Sequence, residues 1–479
     1  MIKNLFIKGS IFYIIGAIFS LFFSYLFRII LASNLSLEEY GLFYSMLNFI
    51  LFFLVFRNLG FNQGVVKFGS DFLSKKNFNA LRSLLCFVIS SQFIISTIFV
   101  FIFIFISDFL AQNYFNLLYS SFLFKVFSIY FVTSLLSLLL RPIFRIFYMS
   151  KQINTFEPLK NLLIVILFLI FNYFFDSLIS AILALVVTPI FVFLIFIPSL
   201  SKLISKFTNV GANDYTIIPN FLFFSFPLIL SDLGGRFINY FDTFMLTSMK
   251  SLIDVGIYNV LLPSASVLLL LASPIILFIV PYLRKNIKNN FLKANIFYKK
   301  IINGFLLLSL PIFIFVAFFG IKYLGFLFDI KYLSGQYVFI VLVFGVLLNS
   351  LNLINFQFIY SYYNTKIILF VNIISALVNV LLNFFLIPTY GILGAAISTF
   401  ISYLLIFFLS SHFIKNKFDV YNLFNFNVFL TIFFSLFLIV MLYSFINSII
   451  YLGIIFSFFY FMYLYCIYTK YGKEIDVLI

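Results

Sequence analysis

The strongest constraint on this chain is the succession of long, uncharged, apolar runs that fills most of its 479 residues. A bilayer hydrocarbon core about 30 Å thick needs about 20 apolar residues per helix. Runs rich in Phe, Ile and Leu with that length recur along the chain, so the sequence predicts an all-α integral membrane protein with about 14 transmembrane helices. The predicted spans are 11–32, 40–60, 84–106, 117–140, 161–175, 177–197, 218–240, 255–280, 301–320, 336–360, 367–387, 391–412, 426–446 and 449–468.

The basic residues lie almost entirely in every second gap between these runs. Of the 30 Lys and Arg residues, 23 lie in one set of gaps and at the two ends of the chain. The other set of gaps contains only Lys250, Lys322 and Lys331. Cytoplasmic loops are enriched in Lys and Arg. We therefore expect both termini on the cytoplasmic side of the membrane.

Composition excludes several classes of protein. The chain is 64% hydrophobic and 9% charged, whereas soluble domains carry about 25% charged residues. The net charge of +16 is explained by the excess of Lys and Arg in the cytoplasmic gaps, so we expect no nucleic-acid partner. The two cysteines, Cys86 and Cys466, lie in apolar runs, which argues against a disulfide framework. With a single His, we expect no metal site, and no cofactor is indicated.

A short internal repeat indicates a duplicated organisation. The stretch that starts at Ser36 and includes Glu39 and Gly41 recurs without gaps 215 residues later, from Ser251. Each copy follows the first run of its half of the chain. Repeats of this kind are common in transporters. We predict a six-helix lobe over 1–210, a second over 211–417, and two additional helices with a cytoplasmic tail over 418–479.

Four cations lie within the apolar runs, where a charge is costly and usually faces a partner or a cavity. Arg28 and Arg57 are near enough to span ends to reach a headgroup layer. Arg236 follows Asp232 by four residues, so the two can pair on one helix face. Alternatively, the cations converge and bind a phosphate or pyrophosphate. The candidates for that site are Arg28, Arg57, Arg236 and Lys125.

Further polar residues interrupt the apolar runs. Asp232 and Asp242 are candidate carboxylates for a cavity or for coupling to an ion, with H⁺ and Na⁺ both open. Five asparagines have spacings that place them on shared helix faces. Interhelical hydrogen bonds are one explanation for them and a sugar-facing cavity wall is the other. These residues are Asn349, Asn352, Asn355, Asn379 and Asn383.

Three stretches resemble one known family. The first runs from Arg28 through Glu39-Tyr40-Gly41, and the second runs from Pro227 to Asp242 and is followed by Asp254-Val-Gly-Ile-Tyr-Asn259. The third is Asn379-Val-Leu-Leu-Asn-Phe-Phe-Leu-Ile-Pro-Thr-Tyr-Gly-Ile-Leu-Gly-Ala-Ala396. Together they resemble polysaccharide flippases of the MATE-like multidrug/oligosaccharidyl-lipid/polysaccharide exporter superfamily.

The resemblance implies two pseudo-symmetric six-helix lobes around a central cationic cavity, with Arg28 and Asp242 among its charges. It implies a prokaryotic cell-membrane protein that rocks between inward- and outward-open states. The expected function is flipping of a polyprenyl-(pyro)phosphate-linked oligosaccharide, such as an O-antigen unit, to the outer leaflet. A cation-coupled multidrug exporter and a peptidoglycan lipid-precursor flippase are alternatives. A membrane polysaccharide polymerase or ligase is disfavoured, because no loop is long enough for a catalytic domain.

The expected partners follow from this function. They are membrane lipid, the lipid-linked glycan itself, and glycosyltransferases or a polymerase of the same pathway. We expect the chain to act as a monomer and not as an enzyme.

Overall fold

The described structure is helical throughout. The computed structural model describes residues 2–204, 215–286, 291–363 and 366–415, and, near the C-terminus, residues 431, 435 and 455–463. The helices are α1 (Ile2–Asn34), α2 (Leu37–Asn58), α3 (Phe61–Ser74), α4 (Phe78–Asn113), α5 (Ser120–Ser128), α6 (Tyr130–Leu138), α7 (Leu140–Ile146), α8 (Ser150–Asn172), α9 (Ser177–Ile204), α10 (Ile218–Met249), α11 (Leu252–Ser266), α12 (Ser273–Asn286), α13 (Phe291–Phe328), α14 (Gln336–Tyr362), α15 (Lys366–Tyr390) and α16 (Ile392–Ile414).

Twelve segments of the described chain are long and apolar enough to cross a membrane. This confirms the predicted all-α, multi-pass architecture. The last two predicted spans, 426–446 and 449–468, fall mostly outside the described residues, although 455–463 are helical. The count of about 14 is therefore approximate.

Several helices extend beyond the predicted spans. The span predicted at 161–175 belongs to α8, which begins eleven residues earlier, at Ser150. Lys160 therefore lies inside a helix and not in a gap. The span predicted at 117–140 is built from the short helices α5 and α6, and α7 follows directly. The length of an apolar run shows where the chain crosses the membrane. It does not show where the helix begins or ends, because a helix continues through charged residues as long as its backbone hydrogen bonds continue.

The chain forms two compact units. The first contains residues 1–260 and 372–395, and the second contains 261–371 and 396–479. In the first unit, α1 packs on α8, α8 on α9, and α2 on α10. In the second unit, α14 packs against α12 and α13. The predicted lobe boundaries at 210 and 417 stay a prediction.

The two copies of the internal repeat form the same helix start. At α2, the Ser36 hydroxyl accepts from the Glu39 amide at 3.2 Å and the Glu39 carboxylate accepts from the Ser36 amide at 2.9 Å. At α11, Ser251 and Asp254 make the equivalent pair of hydrogen bonds, at 3.2 and 3.3 Å. Each capping box satisfies amides that a helix end leaves without partners.

The two copies also touch each other, within the first unit, at equivalent glycines. A Cβ on Gly41 would lie 1.8 Å from the carbonyl oxygen of Leu252. A Cβ on Gly256 would lie 2.6 Å from the carbonyl oxygen of Leu37. Leu37 and Gly41 occupy the same places in the first copy as Leu252 and Gly256 in the second, so the contact is reciprocal. We call it the glycine contact.

Candidate functional site

Arg57 is enclosed by the protein at the end of α2. Its side chain is 0% exposed, and Nη1 donates to the carbonyl oxygen of Phe131 at 2.5 Å and to the Ser134 hydroxyl at 2.8 Å. Within the described residues, Nε and Nη2 have no hydrogen-bond partner. The helix ends one residue later, at Asn58, and Leu59 and Gly60 then adopt positive φ angles. A cation in the last turn interacts favourably with the helix dipole, but two of the guanidinium's donor atoms stay unused.

Arg236 lies close to Arg57 because α10 packs along α2. The guanidinium of Arg236 donates to the carbonyl oxygen of Leu51, on α2. The charges of Arg57 and Arg236 are near enough to interact. Asp232, one turn earlier on α10, is near enough for its charge to act on that of Arg236. The structure thus brings together two of the four predicted cations.

Arg28 is held inside a polar network. Its guanidinium lies 4.7 Å from the ring centroid of Tyr44, and Nη1 donates to the carbonyl oxygen of Asn259 at 3.1 Å. The Asn259 side chain accepts from Asn48 at 2.9 Å and donates to Thr243 at 3.2 Å. This network joins α1, α2, α10 and α11, so Arg28 is positioned by four helices.

Asp242 is the centre of a second set of buried hydrogen bonds. It is 1% exposed and accepts from the Tyr258 hydroxyl at 2.7 Å and from the Asn383 amide at 2.6 Å. Asn383 also donates to Asn379 at 3.2 Å, and both asparagines are 0% exposed. Residues of all three stretches that resemble the exporter superfamily are therefore in contact. Arg28 of the first stretch is hydrogen-bonded to Asn259 of the second, and Asp242 of the second is hydrogen-bonded to Asn383 of the third.

Lys125 is placed differently from the three arginines. It forms an ion pair with Asp108 at 3.1 Å, and the two side chains are 38% and 69% exposed. Ser121 donates to the same carboxylate. Lys125 is therefore a partly exposed, paired cation on the α4–α5 hairpin. Its proposed contact with substrate stays a prediction.

The asparagines of α14 connect helices of the second unit. Asn352 donates to the carbonyl oxygen of Tyr403 at 2.9 Å. Asn355 is 0% exposed, accepts from Tyr298 at 3.0 Å, and donates to hydroxyls on α16. Asn349 is partly buried on the same helix. Interhelical bonding explains Asn352 and Asn355 in this conformation, and a sugar-facing role stays a prediction.

A further group of charged residues lies in a part of the chain that the charge bias assigns to a cytoplasmic gap, and its pairing was not predicted from the sequence. Arg141 on α7 pairs with Glu157 on α8 at 2.7 Å. Lys160, one turn after Glu157 on α8, interacts electrostatically with Glu157 and with Tyr130. The i,i+3 spacing of Glu157 and Lys160 is a helical signal that could have identified them.

A family model matches more than half of the chain, residues 6–287, and is described as polysaccharide biosynthesis protein. The chain belongs to the polysaccharide biosynthesis protein family. One relative of this family member is an uncharacterized membrane protein of Methanocaldococcus jannaschii, 24% identical over 83% of the chain and 81% of the relative. Another, 23% identical over 39% of the chain and 40% of the relative, is named a probable low-salt glycan biosynthesis flippase of Haloferax volcanii.

Solved structures show the fold of this polysaccharide biosynthesis family member. The lipid II flippase MurJ, in its inward closed conformation, matches 96% of the chain and 99% of its own length, with a TM-score of 0.76 at 17% identity. An inward-facing multidrug resistance MATE family transporter of the MOP superfamily covers 84% of the chain and 96% of its own length, with a TM-score of 0.65 at 13% identity. These matches confirm the predicted MATE-like fold.

Proposed function

We propose that this protein flips a polyprenyl-(pyro)phosphate-linked oligosaccharide from the cytoplasmic to the outer leaflet for surface polysaccharide biosynthesis. The membership in the polysaccharide biosynthesis protein family supports this function, as does the relative named as a glycan biosynthesis flippase. The protein is a transporter and not an enzyme, in a prokaryotic cell membrane with both termini cytoplasmic. The MurJ-like fold supports alternating access around a central cationic cavity.

The observation that carries the proposal is the unused binding capacity of Arg57. A fully buried guanidinium with two partnerless donor atoms, near a second arginine, is an unfavourable arrangement in the absence of an anion. Guanidinium groups bind phosphate oxygens bidentately, through a planar fork of N–H donors. Arg57 and Arg236 hold the phosphate or pyrophosphate in this proposal, Arg28 supplies a further charge, and Lys125 guides the headgroup.

The remaining polar residues have supporting roles. Asp242, fixed by Tyr258 and Asn383, is the candidate carboxylate for coupling to H⁺ or Na⁺, together with Asp232. The asparagines on α14 and α15 contact sugars when the helices separate. The protein acts as a monomer with membrane lipid and the lipid-linked glycan, alongside glycosyltransferases or a polymerase.

A complementation experiment tests this function. In a strain that lacks the gene, we expect Arg57→Met, Arg28→Ala and Arg236→Ala to lower surface polysaccharide at least tenfold, with unchanged protein in the membrane. Arg57→Lys retains the charge but loses the fork, so we expect it to fail as well. Arg145→Gln, which alters an exposed arginine on α7, is the matched control and retains surface polysaccharide. Normal surface polysaccharide in the Arg57→Met variant, or in both the Arg28→Ala and the Arg236→Ala variants, would refute the cavity assignment.

Two alternative functions have support in the fold. The likeness to MATE transporters favours a cation-coupled drug exporter, and the likeness to MurJ favours a peptidoglycan-precursor flippase. Deletion distinguishes the three. Loss of surface polysaccharide with normal growth supports our proposal, drug sensitivity indicates an exporter, and loss of viability indicates the peptidoglycan function.

A further inference from the structure

An apolar crevice opens in the first unit, between α4, α7 and α9. Its volume is about 570 Å³, within the range of about 300–1,000 Å³ that small-ligand pockets occupy. Ile89 of α4, Ile143 of α7, and Phe193 and Leu203 of α9 line its walls. These walls are distinct from the residues that surround Arg28, Arg57 and Asp242. The crevice is therefore a second candidate site.

The crevice lies between two packed cores. On one side, Leu84 and Val88 of α4 pack against Ile146. On the other side, Phe144 packs with Val192 of α9. Between them α7 is only seven residues long, and the backbone turns through a positive φ at Tyr148 soon after it ends. The short helix presents side chains to both cores and leaves the space between α4 and α9 open.

One arginine gives the crevice a positive charge. Arg82 lines it, is exposed, and lies in the second turn of α4. In the part of the chain that the structure describes, no carboxylate forms an ion pair with Arg82. The preceding gap carries Lys75 and Lys76, both exposed, so the charge bias places this end of α4 on the cytoplasmic side. Anionic lipids are concentrated in the cytoplasmic leaflet.

We propose that the crevice binds one chain of an anionic phospholipid of the cytoplasmic leaflet, with the lipid phosphate on Arg82. The apolar walls accept the hydrocarbon chain, and the guanidinium binds the phosphate through charge-assisted hydrogen bonds. The occupant is a resident lipid and not the transported glycolipid. The transported molecule has one phosphate or pyrophosphate group, and the proposed function assigns that group to the arginines near Arg57.

Lipid retention by the purified full-length protein tests the proposal. The protein is exchanged into mixed micelles with equal phosphatidylglycerol and phosphatidylcholine, and native mass spectrometry counts the lipids that stay bound. We expect one phosphatidylglycerol, retained at least fivefold over phosphatidylcholine. Arg82→Gln removes this preference, and Lys75→Gln, the matched control outside the crevice, retains it. Ile89→Trp fills the crevice from a position that is 42% exposed, so it abolishes retention without disturbing the core.

Cys86, which lines the crevice and is exposed, provides a second readout. With Cys466→Ser, we expect phosphatidylglycerol to slow maleimide labelling of Cys86 at least threefold relative to phosphatidylcholine, and Arg82→Gln to remove this protection. Equal losses for Arg82→Gln and Lys75→Gln, or unchanged retention with Ile89→Trp, would overturn the proposal. Displacement of bound phosphatidylglycerol by equimolar undecaprenyl phosphate would also overturn it, in favour of the transported lipid as occupant.

Discussion

The glycine contact makes a quantitative prediction about packing. A Cβ on Gly41 would lie 1.8 Å from the carbonyl oxygen of Leu252 and 2.7 Å from its carbonyl carbon. Cβ atoms in proteins essentially never approach within 3.0 Å of a heavy atom outside their own stretch of chain, so Gly41→Ala must move the two backbones apart by about 1.2 Å. Both neighbours are backbone atoms, and no side-chain rotation can relieve the overlap.

The cost follows from this displacement. Overpacking a well-packed site costs about 1–3 kcal/mol and occasionally more. We assign about 3 kcal/mol to Gly41→Ala, at the upper end of that range, because the overlap is with backbone. Gly256→Ala starts from 2.6 Å and needs a shift of only about 0.4 Å, so we expect about 1 kcal/mol.

The control is Gly304→Ala in α13, where a Cβ would meet nothing within 4 Å. Alanine is favoured over glycine inside a helix by about 1 kcal/mol, so this variant keeps or raises the stability.

Thermal unfolding in detergent measures the difference. Each variant, fused to a fluorescent protein, is heated and then passed over a size-exclusion column, and the fraction that remains monodisperse gives the Tm. A loss of about 3 kcal/mol corresponds to a fall in Tm of several degrees. We expect the Tm to decrease in the order Gly304→Ala, Gly256→Ala, Gly41→Ala. Equal Tm values for Gly41→Ala and Gly304→Ala would show that the two backbones are not in contact.

Two further predictions use the same assay. Ser251→Ala removes the cap of α11 and the acceptor for the Asp254 amide, so we expect it to cost about 1 kcal/mol. Ser248 is exposed, and we expect Ser248→Ala to stay within about 0.5 kcal/mol of wild type. Asp242→Ala leaves the buried donors of Tyr258 and Asn383 without this acceptor and costs about 3 kcal/mol, while Asp242→Asn keeps one carbonyl oxygen and loses less; equal Tm values for these two variants would contradict the hydrogen-bond assignment.

The membrane architecture could be predicted from the sequence because a membrane crossing depends on the length of an apolar run along the chain, and the bilayer thickness sets that length. The positions of helix ends could not, because hydropathy reports the crossing and not the backbone hydrogen bonds. Thus α8 begins at Ser150 although Lys151, Glu157 and Lys160 lie within its first three turns. The capping boxes at Ser36 and Ser251 are each formed by residues that are close together in the chain. Their residues are therefore visible in the sequence, as the short repeat.

The contacts of the candidate site also divide into those that have a local signal in the sequence and those that depend on how the helices pack. The charges of Asp232 and Arg236 are near enough to interact, because a helix brings residues four apart to one face, but their pairing stays a prediction. The Lys125–Asp108 ion pair depends on a hairpin, which short-range spacing does not reveal. The approach of Arg236 to Arg57 depends on how α2 and α10 pack, and residues 179 positions apart carry no local signal of it.

The glycine contact has a consequence for how such a chain can evolve. Equivalent residues that meet reciprocally across an axis form the interface of a two-fold homodimer, and here that interface lies within one polypeptide. In a homodimer every substitution alters both faces at once. Within one polypeptide each face can change alone, and the two copies differ already: Tyr40 stands where the second copy has Val255. The backbone contact is common to both copies, while the side chains around it are free to become asymmetric.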